Sequence, residues 1–553
     1  MFEKGGFRNR RACGLLKSTA WCEFNVAPEN VNVNSKPVGA TVRYSLTFPD
    51  TNQKIVDNPF QKPSRNCLTY HPSFPIRDFR QWPDRKFIQP VWTANSICHM
   101  IEGQASDPDG TGAIQKLDNL SNRKTAVAIF RAALASVDPC RLVQKHIPDV
   151  LDAYRRGNGQ RLMLAAFGKA AFAMTRALAE SPAGELITRG TVITKYGHVP
   201  GTLPDPIAVY EAGHPLPDAA GVAATGRLMA MLENPDPQTL LVCLISGGGS
   251  ALLVAPADGL TLAEKQATTQ CLLAAGADIG ELNAVRKHIS GIKGGQLAAL
   301  ARPARVLSLI LSDVIGDPLH VIASGPTAPD NTTYADALAV IGKYGLEERI
   351  PNSVYQRLIR GREGTVPETP AKDDPVFADV ANLIIGSNKL AIEAAAAKAT
   401  AAGFETVVLT TELRGEAREA ARWLAQQALA FQNQQPAGKK LCLVSGGETT
   451  VTVTGTGKGG RNTELALAFA EEIDGRPGIT LLSAGTDGTD GPTDAAGAVV
   501  DGQTIARANA RGLSSDAFLS RNDSYTFFKK TDELLITGST GTNVMDIQVV
   551  LLT

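Results

Sequence analysis

Several stretches of this chain place groups suited to phosphate or acid–base chemistry at the ends of apolar runs. Ser246-Gly247-Gly248-Gly249-Ser250 follows the apolar run 240–245. Three glycines let the backbone approach a ligand and turn successive N–H groups toward an anion. A plain turn between a strand and a helix has the same look. Residues 283–295 gather Arg286, Lys287, His288 and Lys293 with three glycines. That set suits a phosphate or a carboxylate, or else a solvated helix start. Lys169 sits between an apolar run at 162–167 and a helical pattern at 170–180. A lysine there supplies a compact point charge for phosphoryl oxygens.

Asp487, Asp490 and Asp494 fall in the Asp-Gly-rich stretch 484–497, again after an apolar run. Hard carboxylate oxygens beside phosphates suit Mg²⁺, but Asp-Gly pairs also make ordinary turns. Gly455-Thr-Gly457-Lys-Gly459-Gly460 matches G-x-G-x-x-G between a strand-like 449–454 and a helix. A dinucleotide fingerprint needs that context. No clear acidic residue caps a second strand about 20 residues on, as that fingerprint also asks. The motif equally suits a nucleotide phosphate on a helix N-terminus beside Arg461. The sequence carries no Walker loop, no protein-kinase H-R-D or D-F-G set, no H-E-x-x-H and no G-x-S-x-G. The seven histidines do not cluster; His198, His214 and His288 lie near Gly/Pro turns.

The elements that must position these groups alternate. Strand-like runs occur at 162–167, 190–194, 240–245, 305–311, 382–385, 406–409, 440–444 and 480–483. Helical patterns occur at 122–135, 170–180, 390–400 and 461–473. Alternation of this kind predicts an α/β fold of two domains, with mostly parallel sheets flanked by helices. Ligands in such sheets sit at the carboxyl ends of strands, where the glycine and polar clusters fall. The polar, Pro-containing stretch 361–374 predicts a boundary between domains at 119–365 and 375–553. Ser445-Gly-Gly-Glu448 in the second echoes Ser246-Gly-Gly-Gly-Ser250 in the first.

The chain has 553 residues, 43% hydrophobic and 20% charged, which is ordinary globular composition. Lys+Arg and Asp+Glu both number 55, which argues against an overall electrostatic grip on nucleic acid or on an anionic membrane. No run approaches the ~20 apolar residues of a membrane helix. Eight cysteines without a C-x-x-C pair exclude a zinc ribbon or a disulfide-dense scaffold. The zero hides an asymmetry: residues 1–100 hold 14 Lys+Arg against 7 Asp+Glu, and 13 of the aromatic residues. Residues 1–118 therefore read as an atypical basic extension, disordered or preceding a true start near Met100. The remainder reads as a mildly acidic, cytoplasmic enzyme body.

From residue 122 on, the ordered motifs resemble the glycerate 2-kinase family with a rear MOFRL domain. The carriers are Phe167-Gly-Lys169, Gly213-His214-Pro-x-Pro-Asp218, Ser246-Gly-Gly-Gly-Ser250, Asn283-x-Val-Arg286-Lys287-His288 through Lys293-Gly-Gly and Ser312-Asp313-Val-Ile-Gly-Asp317. They continue with Gly386-Ser-Asn388, Ser445-Gly-Gly-Glu448, Gly459-Gly460-Arg461-Asn462 and the Asp487 to Asp494 turn.

The resemblance implies ATP- and Mg²⁺-dependent phosphorylation of D-glycerate to 2-phosphoglycerate in an inter-domain cleft. It implies catalytic roles for Lys169 and Arg461. Ser246, Gly247, Gly248, Gly249, Ser250, Arg286, Lys293 and Asn388 are then expected to hold substrate or phosphate. Gly455, Gly457, Gly459, Gly460, Asn462 and Glu448 are expected around the nucleotide. Asp313, Asp317, Asp487 and Asp490 compete for Mg²⁺ or for the hydroxyl proton. A homo-oligomer is compatible with all of this. The rival enzyme is an NAD(P)H-dependent hydroxypyruvate reductase, resting on the single G-x-G-x-x-G. The rival without turnover is a nucleotide-binding sensor.

Overall fold

The computed structural model describes residues 21–25, 41–45 and 111–553, apart from 158, 435 and 437. The chain divides into two units, 1–97 and 98–553. In the first unit, β1 (Trp21–Asn25) and β2 (Thr41–Ser45) pair antiparallel. The rest of the expected extension up to residue 110, Met100 included, lies outside the described residues. The helix Thr111–Ser136 begins within the stretch assigned to the extension.

The second unit carries two six-stranded sheets flanked by helices. In the first sheet, β3 (Arg161–Phe167), β4 (Ile187–Lys195), β5 (Ile207–Ala212), β6 (Thr239–Ile245), β7 (Arg305–Leu311) and β8 (Val380–Gly386) lie in the order β5-β4-β3-β6-β7-β8. Every pairing is parallel. Helices cover both faces of such a sheet, so its central strands read as unbroken apolar runs. All seven residues of β6 are buried accordingly.

The second sheet contains β9 (Glu405–Leu413), β10 (Leu441–Gly447), β11 (Ile479–Gly485), β12 (Gly497–Asp501), β13 (Leu534–Leu535) and β14 (Asp546–Leu552), ordered β13-β12-β11-β14-β10-β9. Here β9 and β10 are parallel and the other pairings antiparallel. Strand β14 inserts between β10 and β11 in the opposite sense, so its first residue lies at their carboxyl ends.

Two elements cross the boundary drawn from sequence. Strand β8 follows the 361–374 stretch yet completes the first sheet beside β7. The helix Thr111–Ser136 precedes the first sheet yet packs against β11, β12 and β14 of the second. Arg123 ties it there, 2.8 Å from Asp501 and 2.7 Å from Glu533. Periodicity specifies an element and its buried face; it carries no address for the sheet that face will meet. The exchange clasps the two sheets together, and one apolar core includes residues of both.

Candidate active site

Strands β3, β6 and β7 are neighbours in the first sheet, so the turns that follow them share one end. The Lys169 N–H donates to the Gly247 carbonyl at 2.8 Å, and the Ala170 N–H to Ser246 Oγ at 3.0 Å. Asp313, just past β7, lies so close to Gly247 that a Cβ there would stand 2.4 Å from its carboxylate. Gly248 has φ +81°, and a Cβ on it would be 2.9 Å from the His214 ring and 3.3 Å from Lys169 Cγ. Glycine is required here by backbone angle and by space. Lys169, His214 and Asp313 thus surround the Ser246–Ser250 turn.

Three of the five N–H groups of this turn are committed. Ser246 donates to Phe167, Gly249 to Ser246, and Gly248 points at Asp313. Those of Gly247 and Ser250 make no bond within the described residues.

The second sheet supplies the facing wall. Arg461 opens the helix Arg461–Glu472 and grips Asp546 with two bonds, Nε to Oδ2 at 2.6 Å and Nη2 to Oδ1 at 2.9 Å. Its third nitrogen, Nη1, lies 2.7 Å from Glu448 Oε1, just past β10. Asp487, past β11, lies 3.9 Å from Lys169 Nζ, so this pair bridges the two sheets. Asn543 reaches over from the segment before β14 to stand beside Gly247.

The charge states follow from the surroundings. Burial pushes the Asp313 carboxyl up, with Lys169 opposing. Burial pushes the Glu448 carboxyl up, with Arg461 opposing. Burial works against the Arg461 charge, but Asp546 and Glu448 outweigh it and hold the guanidinium above its usual range. Burial, and then Lys169, lowers His214 to about 4. Burial also lowers His198, whose Nδ1 lies 3.2 Å from the Lys169 carbonyl. Both imidazoles are therefore neutral near pH 7. Two weakly acidic carboxyls beside two fixed cations suit proton acceptance and oxyanion stabilisation.

The structure therefore brings together Lys169, Ser246–Ser250, Asp313, Glu448, Arg461 and Asp487. Asp490, Asn462, Asn388 and the Gly455–Gly460 loop are instead engaged by neighbouring elements. Asp490 is buried and caps the helix Arg461–Glu472, accepting from the N–H groups of Asn462 (2.9 Å) and Thr463 (2.8 Å) and from the Thr463 hydroxyl. Its carboxyl is raised to about 6 by that burial. Asp317 sits in a φ +54° turn and shares no side-chain bond with the cluster. Asn462 is buried and accepts from Ser483.

The residues before the G-x-G-x-x-G stretch form no strand beyond one isolated bridge at Thr450. The Gly455 N–H donates to Asn522 Oδ1 at 2.9 Å and the Gly457 N–H to the Arg521 carbonyl at 2.8 Å. Gly459 packs on Ser524, and the Gly460 N–H binds Thr463 Oγ1. These glycines pack one loop against another.

Asn388 is buried and donates to the carbonyls of Val544 and Asp546, which fixes the start of β14. Lys293 is buried under the Ser246–Ser250 turn, 2.7 Å from the Ser250 carbonyl. Lys287 pairs with Asp330 at 2.9 Å, and His288 with Glu368 at 2.8 Å. Of that basic stretch, Arg286 alone holds no acceptor among the described residues. Asp546 and Asn543 were not legible as site residues. The one hint is an acid three residues before the apolar run 549–552, and it gains meaning only once β14 is known to run backwards.

Comparison with known proteins gives this geometry its family. Residues 125–359 match the domain of unknown function DUF4147, and residues 441–546 match the MOFRL family. The D-glycerate 2-kinase of Thermotoga maritima is 42% identical over 434 residues, 78% of this chain and 98% of that protein. The glycerate 2-kinase of Pyrococcus horikoshii is 41% identical over 71% of this chain and 88% of its own. A protein of Agrobacterium vitis, 42% identical over 79% of this chain and 95% of its own, carries hydroxypyruvate reductase as a provisional name. The crystal structure of the glycerate kinase of Thermotoga maritima superposes with a TM-score of 0.71, covering 78% of this chain and 100% of that one. The chain belongs to the glycerate 2-kinase family with a MOFRL domain.

Proposed function

We propose that this enzyme transfers the γ-phosphoryl group of ATP to the 2-hydroxyl of D-glycerate, with Mg²⁺, giving 2-phosphoglycerate. The observation that carries this reading is the Lys169–Asp487 approach across the two sheets, with Arg461 and Asp313 on either side. Phosphoryl transfer asks for positioning and charge neutralisation more than for covalent chemistry. Lys169 neutralises charge on the transferring oxygens. The N–H groups of Gly247 and Ser250 orient them. Asp313, raised in pKa and beside Lys169, accepts the hydroxyl proton.

Among the described residues no three acidic, His or Cys side chains form a ready metal cage. Mg²⁺ uses one or two carboxylates and completes its shell with water and phosphate oxygens. Asp487 and Glu448 would hold it, and when bound it would neutralise the nucleotide phosphates. Arg461, already clamped on Asp546, keeps Glu448 in place from below.

The reductase reading draws on G-x-G-x-x-G, but the Gly455 and Gly457 N–H groups are spent on Asn522 and Arg521. The test is incubation with D-glycerate, ATP and Mg²⁺, followed by phosphorus NMR. A 2-phosphoglycerate signal supports the proposal, and a 3-phosphate signal corrects the acceptor atom. Oxidation of NADH by hydroxypyruvate, without ADP release from glycerate, would overturn it.

No helix among the described residues is long and apolar enough to cross a membrane.

A further inference from the structure

The cations of the cleft are already matched. Lys169 and Arg461 face four carboxyl groups, those of Asp313, Glu448, Asp487 and Asp546. This wall suits a metal–phosphate, and neither Lys169 nor Arg461 is spare for an anionic acceptor. Among the described residues, positive charge without a carboxylate partner lies at Lys195, near His198 and His214, and as a cluster beside the far end of the Ser246–Ser250 turn. Lys293 is buried there and bonds only oxygens of Ser250 and Leu253. Lys265 is buried and bonds only the carbonyls of Arg286 and Ile289. Neither has a carboxylate partner among the described residues. Arg286 is half-buried with neither carboxylate nor acceptor among the described residues. Its charge is near enough to depress both lysines; Lys293 is lowered to about 7, first by burial and then by Arg286.

The direction of Arg286 follows from its helix, Ile279–His288. Residues three apart share a helix face, so Arg286 lies one turn along from Asn283. Asn283 Oδ1 accepts from Ser324 Oγ at 3.1 Å, and Ser324 Oγ lies 2.7 Å from Ser250 Oγ. Ala323 and Ser324 hold this contact at φ +51° and +63°. Non-glycine residues adopt such angles in sequence only when their surroundings impose them. The face that carries Arg286 is therefore pinned against the Ser250 end of the glycine turn.

We propose that Arg286 is a specificity-determining residue that binds the carboxylate of the 2-hydroxy-acid acceptor, while Lys169 and Asp313 attend its hydroxyl. This assignment rests on the kinase reading above. A guanidinium fork matches a carboxylate with two parallel bonds. Ser250, Ser324, Asn283 and buried Lys293 form the wall that keeps the fork facing the turn. An acceptor lacking the carboxylate leaves this guanidinium without a partner, and the enzyme then discriminates against it.

The experiment compares the full chain with R286M and R286K, measuring ADP release against D-glycerate, against glycerol and against ATP. For R286M the KM for D-glycerate rises between about tenfold and a hundredfold, the range for loss of a hydrogen-bonded charge. The KM for ATP stays within about twofold, and the preference for D-glycerate over glycerol collapses by the same factor. R286K, a point charge in place of a fork, shows a smaller rise. It decides the question if R286M does not melt cooperatively.

An unchanged KM for D-glycerate overturns the proposal. So does a raised KM for ATP with glycerate unaffected, which would put the guanidinium on a nucleotide phosphate. If the wild-type chain releases no ADP with D-glycerate, the kinase reading fails. Calorimetric binding of D-glycerate to wild type and R286M then still reads the subsite, where equal affinities overturn it.

Discussion

The two glycine-rich loops of this chain look alike in sequence and differ in use. In Ser246–Ser250, the glycines admit Asp313, His214 and Lys169 to within contact of the backbone, and two N–H groups make no bond among the described residues. In Gly455–Gly460, the Gly455, Gly457 and Lys458 N–H groups are spent on Asn522, Arg521 and Asp523. The first loop is open to a ligand; the second is fastened to its neighbour. Glycine spacing permits close approach of a backbone. What approaches is decided by the element folded over it. Ser445-Gly-Gly-Glu448 makes the point again. Gly446 there accommodates Asn388, and Glu448 is the group left facing the cleft.

The largest test of this contrast lies at the cations. Lys169→Ala and Arg461→Ala should each lower kcat at least about a hundredfold, on the scale of ~2.7–4 kcal/mol for one oxyanion donor. Arg461→Ala should also lower the melting temperature, because it strands buried Asp546. Near-normal turnover in either variant would remove these residues from the chemistry.

The next test uses pH, because the two regions titrate in opposite senses. His214 has a folded pKa of about 4, below the free imidazole value. The unfolded chain then binds more protons between about pH 4 and 6.5, so stability is present above that window and is lost as pH falls through it. Asp490 has a folded pKa of about 6, above the free carboxyl value. Here the folded chain binds more protons, so stability falls as pH rises from about 4 to 6. The Asp490 contribution reaches up to about 3 kcal/mol at 1.36 kcal/mol per pKa unit, and that of half-exposed His214 is smaller because solvent screens it. Urea titrations from pH 4 to 7 should show H214N with a shallower gain on raising pH than wild type, and D490N with a steeper one. Parallel curves for all three proteins would refute the opposition.

Asn522→Ala addresses the fastened loop. It removes the acceptor for the Thr454 and Gly455 N–H groups, so stability should fall by about 2 kcal/mol, near ~1 per lost bond. The KM for ATP should stay within about twofold. A large rise in that KM at unchanged stability would return this loop to the nucleotide site.

The smallest effect is expected at Gly248→Ala. A methyl group at φ +81° and 2.9 Å from His214 displaces the ring and strains the turn, by about 1–3 kcal/mol. We expect kcat/KM to fall about tenfold with little change in melting temperature. The reverse pattern would mean that the open loop is structural too.

Much of the fold was legible because strands of a parallel sheet must be apolar on both faces, and 162–167, 240–245 and 305–311 are so in sequence. That Lys169, Ser246–Ser250, Asp313 and Asp487 would gather was legible for a related reason: each follows a strand end, where such sheets carry their candidate ligand groups. Asp490 caps a helix, and from sequence a helix cap and a metal ligand ask for the same short acid beside glycine. Arg286, Lys287, His288 and Lys293 were indistinguishable as a row of cations. Burial against Asp330, Glu368 and the Ser250 carbonyl separates three of them from the fourth.

By itself, the sequence determined the alternation of strands and helices, the chemistry available at the strand ends and the family to which the motifs belong. These are local properties, set by side-chain periodicity and by which residues tolerate a tight turn. Tertiary structure decided the rest. It sent β8 to the first sheet and the helix Thr111–Ser136 to the second, and it ran β14 backwards so that Asp546 meets Arg461. It also left Arg286 without a partner among the described residues. Each outcome depends on contacts between residues far apart in the chain, and a local pattern cannot encode which distant surface will cover it.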